Sequence, residues 1–318
     1  MITENEHGQR LDNLLLKRCK GVPKSHVYSI VRSGQVRVNG RRADVSYRLQ
    51  AGDVLRIPPL RVASVEQEMV AGAGLQVHVP IVYEDEGLLV VDKPAGIAVH
   101  GGSGESYGLV EALRRQRPEA RFLELAHRLD RETSGILLLG KKRSVLLALH
   151  QMFREGGLAG SGRSADKRYL VLVCGRWMEP LRSVRLPLLK YLLASGERRV
   201  RVADEGKAAH TVFRLLARWQ RFSLLEAELK TGRTHQIRVH LAHLGYPIAG
   251  DEKYGDFGLN RALAKEGLKR MFLHASRMRL PHPLEGRELV VEAAMPAALK
   301  AFVDGLSAKE KQDYGKTV

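Results

Sequence analysis

The sequence predicts an α+β protein in two unequal parts: a small basic N-terminal module over residues 1–62 and a larger sheet-centred domain over residues 81–318, joined by a linker over residues 63–80. Three observations carry this prediction. Cations crowd the N-terminal end, with twelve Lys or Arg against five Asp or Glu through Arg61. Between Leu60 and Pro80 the apolar residues lose their period and Gly72-Ala73-Gly74 interrupts them. Beyond Ile81, β-rich apolar runs and helical stretches alternate irregularly, which argues for a mixed sheet rather than strict βαβ order.

In the first module, Leu11, Leu14 and Leu15 recur at helical spacing, and after Pro23 a second helix opens near Ser25 with Val27, Ile30 and Val31 on one face. Val36 and Val38 then alternate with polar residues up to Asn39-Gly40, a tight-turn pair, so a small hairpin is expected. A further turn and strand around Gly52-Asp53, Val54, Leu55 and Ile57 close the module at Pro58-Pro59. In the larger domain, strand-like runs lie at residues 88–91, 136–139, 169–173, 222–229 and 237–241, with helical patterns at 109–116 and 144–153. The glycine-rich stretch at 100–108 lacks both a P-loop ending and GxGxxG spacing, and is expected to be a loop near the site.

With 44% hydrophobic and 27% charged residues over 318 positions, the chain can bury a substantial core, which excludes a disordered protein. A net charge of +17 and a pI near 10.1 point to a polyanionic partner, although charge alone also fits an acidic membrane. Cys19 and Cys174 stand alone in separate segments, so neither a disulfide framework nor a CxxC knuckle can form. The start MITENEHGQR has no apolar core, and no apolar run approaches the roughly 18 residues that span a bilayer. A cytoplasmic protein, monomeric and without a membrane association, is expected.

The chemistry is expected at residues 127–139, HRLDRETSGILLL. There Asp130 lies between Arg128 and Arg131, followed by a Thr-Ser-Gly turn and a buried-strand run. A lone essential carboxylate suits glycosidic chemistry, where it can attack carbon or stabilise an oxocarbenium ion. Hydrolysis would need a second acid to activate water, and Glu132 is too close in sequence to face the substrate from the other side. Breaking an N-glycosidic bond and rejoining the base through carbon needs no external nucleophile and no cofactor, so isomerisation fits. His235, His240 and His243 are interleaved with Arg233 and Arg238, whose charges would repel a divalent ion, and no metal is expected. Ser134 and His127 form no credible nucleophilic pair, because no nucleophile elbow accompanies them.

The same run resembles the signature of the RluA/RluC/RluD family of RNA pseudouridine synthases, HRLD-x-x-TSG leading into an apolar strand. Further blocks agree in order: VVDKPAGIAVHGGSG at 90–104, KRYLVLVCG at 167–175, TGRTHQIRVHLAHLGYPIAGDEKYG at 231–255 and FLHASRMRLPHP at 272–283. The resemblance implies a mixed, mainly antiparallel sheet flanked by helices, with Asp130 as nucleophile. It also implies that Arg238, from the QIR-x-H run, is the ion-pair partner that keeps the carboxylate charged and aimed. By the same resemblance Tyr169 lies against the target base and is a candidate for proton handling at C5, while Arg128 enters the RNA stack vacated by a flipped uridine. The N-terminal module resembles an S4-type RNA-binding domain, with Lys24, Arg32, Arg37, Arg41 and Arg42 as candidate phosphate contacts. The stretch at 21–43 and the HGGSG run look most like the branch that modifies several uridines of 23S ribosomal RNA. Gly140 in place of the usual Ala and a basic insert at 161–165 depart from the family pattern without touching the proposed chemistry. Two alternatives stand beside this reading: a synthase of the same family acting on transfer RNA or another RNA, and a ribosome-assembly factor that binds RNA without catalysis.

Overall fold

The computed structural model describes residues 1–19, 22, 24–60, 78–101, 108–155, 165–194 and 196–315. The expected linker, the glycine-rich loop and the basic insert lie mostly outside these residues, as does the side chain of Lys24.

Helices α1 (Leu11–Arg18) and α2 (Lys24–Arg32) form as their apolar spacing predicts. They bury Leu11, Leu14, Leu15, Val27, Ile30 and Val31 in one core with Val36, Val38 and Leu49. At the Asn39-Gly40 turn both residues adopt positive φ, 50° and 76°, which lets Val38 and Arg41 exchange two backbone hydrogen bonds of 2.9 Å. The turn closes on that single bridge and does not extend into a hairpin. Instead β1 (Arg37–Val38) pairs antiparallel with β2 (Leu55–Arg56).

The larger part is built on a ten-stranded sheet among the described residues. Its main path runs β3 (Ile81–Glu84), β4 (Leu88–Lys93), β6 (Ser134–Gly140), β13 (Leu273–Pro281), β7 (Asp166–Cys174), β12 (Phe222–Leu229), β11 (His210–Arg218) and β8 (Leu181–Arg185). β5 (Glu124–Leu125) adds to β6, and β14 (Glu288–Glu292) adds to β13. Every pairing is antiparallel except β13 with β6.

Alternation along the central strands divides their side chains between faces. Leu89, Val91, Leu137 and Leu139 face the cluster holding helix α3 (Leu109–Gln116). Leu88, Val90, Ile136 and Leu138 face helix α4 (Arg143–Glu155). Helices α6 (Phe257–Lys265) and α7 (Ala297–Gly315) pack over Leu172, Phe222, Leu224 and Phe272. A separate hairpin, β9 (Leu188–Leu192) with β10 (Arg198–Val202), stands off the main sheet. The two parts meet through an ion pair of Lys17 with Glu124 and a 2.8 Å bond from Arg143 Nε to the His7 carbonyl.

A second element, besides the missing hairpin, departs from the sequence expectation. Residues 237–241 read as a strand, yet they lie within helix α5 (Gln236–His243). Every residue from Gln236 to Leu241 is buried, so no polar face marks the 3.6-residue period, and the alternation of Ile237, Val239 and Leu241 imitates a strand. Among the described residues, no helix is long and apolar enough to cross a membrane.

Candidate active site

Asp130 lies on the loop between β5 and β6, and three successive carbonyls of that loop are held. The Asp130 carbonyl accepts from Thr133 N at 3.1 Å, closing the turn. The Arg131 carbonyl accepts from Gly96 N at 2.9 Å and from Lys93 Nζ at 3.0 Å. Glu132 O accepts from Arg270 Nη2 at 3.3 Å, and the same nitrogen reaches Ser134 Oγ at 2.8 Å. The fully buried Lys93 spends its remaining hydrogens on the carbonyls of Pro94 and Ile97, both at 2.8 Å. Burial, with Arg270 nearby, brings this ammonium down to about 7.

The Thr-Ser-Gly turn is fitted to the one parallel seam of the sheet. Gly135 has φ 109°, and a β-carbon there would lie 2.2 Å from the Ala275 carbonyl, so β6 can run beside β13 only with glycine at this position. Ser134 bonds to His274 Nδ1 at 2.9 Å rather than to His127. His127 Nε2 instead accepts from Leu138 N at 3.2 Å, and burial pushes its pKa down to about 3, so it is neutral.

Arg238 reaches Asp130 from α5, with Nη1 2.9 Å from Oδ2. A buried network fixes that helix. Gln236 Nε2 donates to His210 O at 3.0 Å and to Thr211 Oγ1 at 2.9 Å; Thr211 Oγ1 bonds His240 Nδ1 at 2.9 Å, and His240 Nε2 bonds Leu186 O at 3.0 Å. The guanidinium, 9% exposed, also forms a fork with Asp251, which is 1% exposed, through Nε–Oδ2 and Nη2–Oδ1 contacts of 2.8 Å. Asp251 accepts in addition from the amides of Lys253 at 2.8 Å and Tyr254 at 3.0 Å. Burial opposes charge at both members of the pair. The bonds and mutual attraction overcome it, raising the Arg238 pKa and lowering that of Asp251.

Asp130 Oδ1 has no hydrogen-bond partner among the described residues. Its carboxylate, 27% exposed, faces a cavity of about 1190 Å³. Tyr169, on β7, contributes its ring to the wall and is 7% exposed; burial, then the Asp130 charge, raises its hydroxyl pKa. Lys167 projects into the same space 4.7 Å above the Phe153 ring, and burial lowers its pKa to about 8. Arg128 is exposed at the rim and has no ion-pair partner among the described residues. The structure therefore brings Asp130, Tyr169, Arg128 and Arg238 to one cavity.

The described cations of the N-terminal module, Lys24 aside, lie apart from this cavity's lining. Arg32, Arg41 and Arg42 are exposed and Arg37 half-buried, and none has a carboxylate partner among the described residues. Arg10 and Arg18, by contrast, are paired with Asp12 and Glu6. Arg37 stands directly across the ladder from Arg56, a like-charge pairing that costs stability unless an anion lies over it.

Asp251, Tyr254 and Arg56 escaped sequence reasoning, which weighed His235 as a metal ligand. The signal that could have found Asp251 is charge balance: an arginine buried in an apolar run needs more than one partly exposed carboxylate, and Asp251 follows the apolar Ile248-Ala249 segment.

A carboxylate clamped through one oxygen at the wall of a cavity of about 1190 Å³ fits an enzyme of glycosidic chemistry on a large substrate, and similarity to known proteins makes the class specific. The model of the RNA pseudouridylate synthase family matches residues 87–243, and that of the S4 domain matches residues 9–55. The chain belongs to this family and is a pseudouridine synthase. It is 51% identical to ribosomal large subunit pseudouridine synthase C of Escherichia coli K12 over 96% of this chain and 95% of the relative. The enzyme of the same name from Haemophilus influenzae is 48% identical over 96% and 94%. Among solved structures, human RNA pseudouridylate synthase domain containing 4 superposes with a TM-score of 0.58 at 25% identity, over 76% of this chain and 97% of that one.

Proposed function

We propose that the enzyme converts specific uridines of 23S ribosomal RNA to pseudouridine, with Asp130 as nucleophile toward a flipped nucleotide. The observation that carries the role of Asp130 is its asymmetric setting at the cavity wall: Oδ2 is bonded to Arg238 at 2.9 Å while Oδ1 has no hydrogen-bond partner among the described residues. The relatives named for the large ribosomal subunit support the choice of RNA.

In the isomerisation the C1′–N1 bond breaks, the uracil turns, a C1′–C5 bond forms, C5 loses its proton and N1 gains one. Atoms and electrons balance without a co-reactant. Asp130 supplies the anion for cleavage, and Arg238 holds its direction through a guanidinium anchored on Asp251. Tyr169 lies against the base and handles the C5 proton. Arg128, exposed and unpaired among the described residues, fills the stack when the uridine leaves it, which offsets part of a flipping cost of about a few kcal/mol. The module over residues 1–62 places RNA through Lys24, Arg32, Arg37, Arg41 and Arg42, and residues 81–318 carry the chemistry.

The test is Asp130→Asn, which keeps shape and removes charge. Tritium release from RNA labelled at uridine C5 should vanish while RNA binding persists. Turnover by this variant would overturn the mechanism.

A further inference from the structure

His235 caps α5 with its backbone, its carbonyl accepting Val239 N at 2.9 Å, but its side chain enters neither the reaction just described nor the network that fixes the helix, and its setting is among the most constrained in the site. It takes φ 53° and ψ 23°, a left-handed conformation that only one other non-glycine residue, Asn39, shares among the described residues. Such a conformation costs of order 1–3 kcal/mol and persists where surrounding contacts over-determine it.

Those contacts converge on the ring. Nδ1 lies 2.8 Å from the Tyr254 hydroxyl, and that hydroxyl accepts the Val200 amide at 3.0 Å. With the amide on the oxygen, the hydroxyl hydrogen is free to point at Nδ1, which places the imidazole hydrogen on Nε2. Nε2 faces Asp130 Oδ2 at 3.8 Å, the same oxygen that accepts from Arg238. Burial pushes the His235 pKa down, with Arg238 and Lys253 acting the same way against Asp130 and Asp251, so the ring is neutral.

We propose that His235 is a positioning residue for Asp130: oriented by Tyr254, it presents a neutral Nε2–H as the second donor to Oδ2 and leaves Oδ1 alone for the substrate. The inference rests on the reading of Asp130 as nucleophile. Arg238 gives Asp251 two of its nitrogens and Asp130 only one, and a carboxylate held by a single bond can still turn about it. A second donor on the same oxygen stops that rotation without adding a cation that would blunt the nucleophile. The gap exceeds a hydrogen bond by about 1 Å, and catalytic contacts of this kind tighten in the substrate complex.

Three variants of the full-length enzyme separate this role from a backbone role. Asn tolerates the left-handed conformation best but carries its amide at the δ position, out of reach of Asp130. Gln suits the backbone less and carries an N–H at the ε position. The proposal expects His235→Gln to stay within about tenfold of the parent single-turnover rate at saturating RNA, and His235→Asn to lose about 10- to 150-fold beyond it, with RNA affinity equal in both. A backbone role demands the reverse order, and that order overturns the proposal. Tyr254→Phe keeps the ring that lies over Arg238 and removes only the hydroxyl. It should slow the parent enzyme about tenfold and have no further effect in a His235→Asn background. If His235→Gln fails to fold, this cycle decides, and additive losses overturn the proposal. Asp130→Asn run in parallel distinguishes the failures: activity there refutes the nucleophile itself, whereas an inactive Asp130→Asn with additive or reversed effects refutes only His235.

Discussion

Replacing Asp251 with Asn should destabilise the protein and slow the chemical step together, because both depend on where Arg238 points. Removing one member of a buried ion pair costs about 3–5 kcal/mol when the other is left uncompensated. Asparagine is a mild replacement here. It retains one oxygen for the amides of Lys253 and Tyr254, and Arg238 keeps its bond to Asp130. What it loses is the charge and one prong of the fork, since its NH₂ must face a guanidinium nitrogen. A loss of about 2–4 kcal/mol follows, or roughly 5–15 °C in Tm for a domain of this size. The single-turnover rate should fall at least about tenfold, because 1.4 kcal/mol of misorientation already does that.

The pH dependence has a definite sign. Asp251 has a folded pKa below its unfolded value, so its contribution is fully present above about pH 4 and is lost as pH falls through the lower folded value. The gap between parent and variant should therefore be constant near neutrality and shrink below about pH 4. Thermal unfolding and tritium release on Asp251→Asn, Arg238→Leu and the double variant provide the assay. In the Arg238→Leu background Asp251 is a buried anion without its partner, so Asp251→Asn should there be neutral or stabilising. A coupling below about 0.5 kcal/mol, the range of independent sites, would refute the claim that Asp251 anchors Arg238.

Two further predictions follow from charges elsewhere in the molecule. Arg37→Ala or Arg56→Ala should flatten the log-log salt dependence of RNA binding by about 0.7–0.9 per lost phosphate contact without lowering Tm, because each relieves a like-charge pair; an unchanged slope would mean that this ladder does not touch RNA. Burial brings Lys93 down to about 7, well under its unfolded value of roughly 10.4, so the unfolded chain binds more protons between these values and stability rises with pH across that window. Lys93→Met should shrink that rise in urea unfolding measured at pH 7, 8 and 9 and leave only the part above about pH 8 that the buried Lys167 contributes, and an unchanged rise between pH 7 and 8 would show that another group causes it.

Much of this protein is legible along the chain. Asp130 announces itself because a carboxylate among cations, followed by Thr-Ser-Gly and an apolar run, is a local pattern, and the loop that holds it closes on its own Thr133 amide. The first two helices and the Asn39-Gly40 turn are equally local, set by apolar spacing and by residues that accept positive φ. Tertiary structure decided the rest. Helix α5 is buried along most of its length, so its sequence carries no amphipathic period, and only the bonds of Gln236 and His240 to β11 and to Leu186 fix its conformation and aim. The clamp on Asp130 draws on Arg238, Asp251, His235 and, through the imidazole, Tyr254, more than a hundred residues away, and their proximity exists only once α5 packs against the sheet. The sequence by itself singled out Asp130 as the candidate carboxylate. Folding decided which of its oxygens is held and which is left without a partner among the described residues, because hydrogen-bond geometry depends on distances between segments that no local pattern encodes.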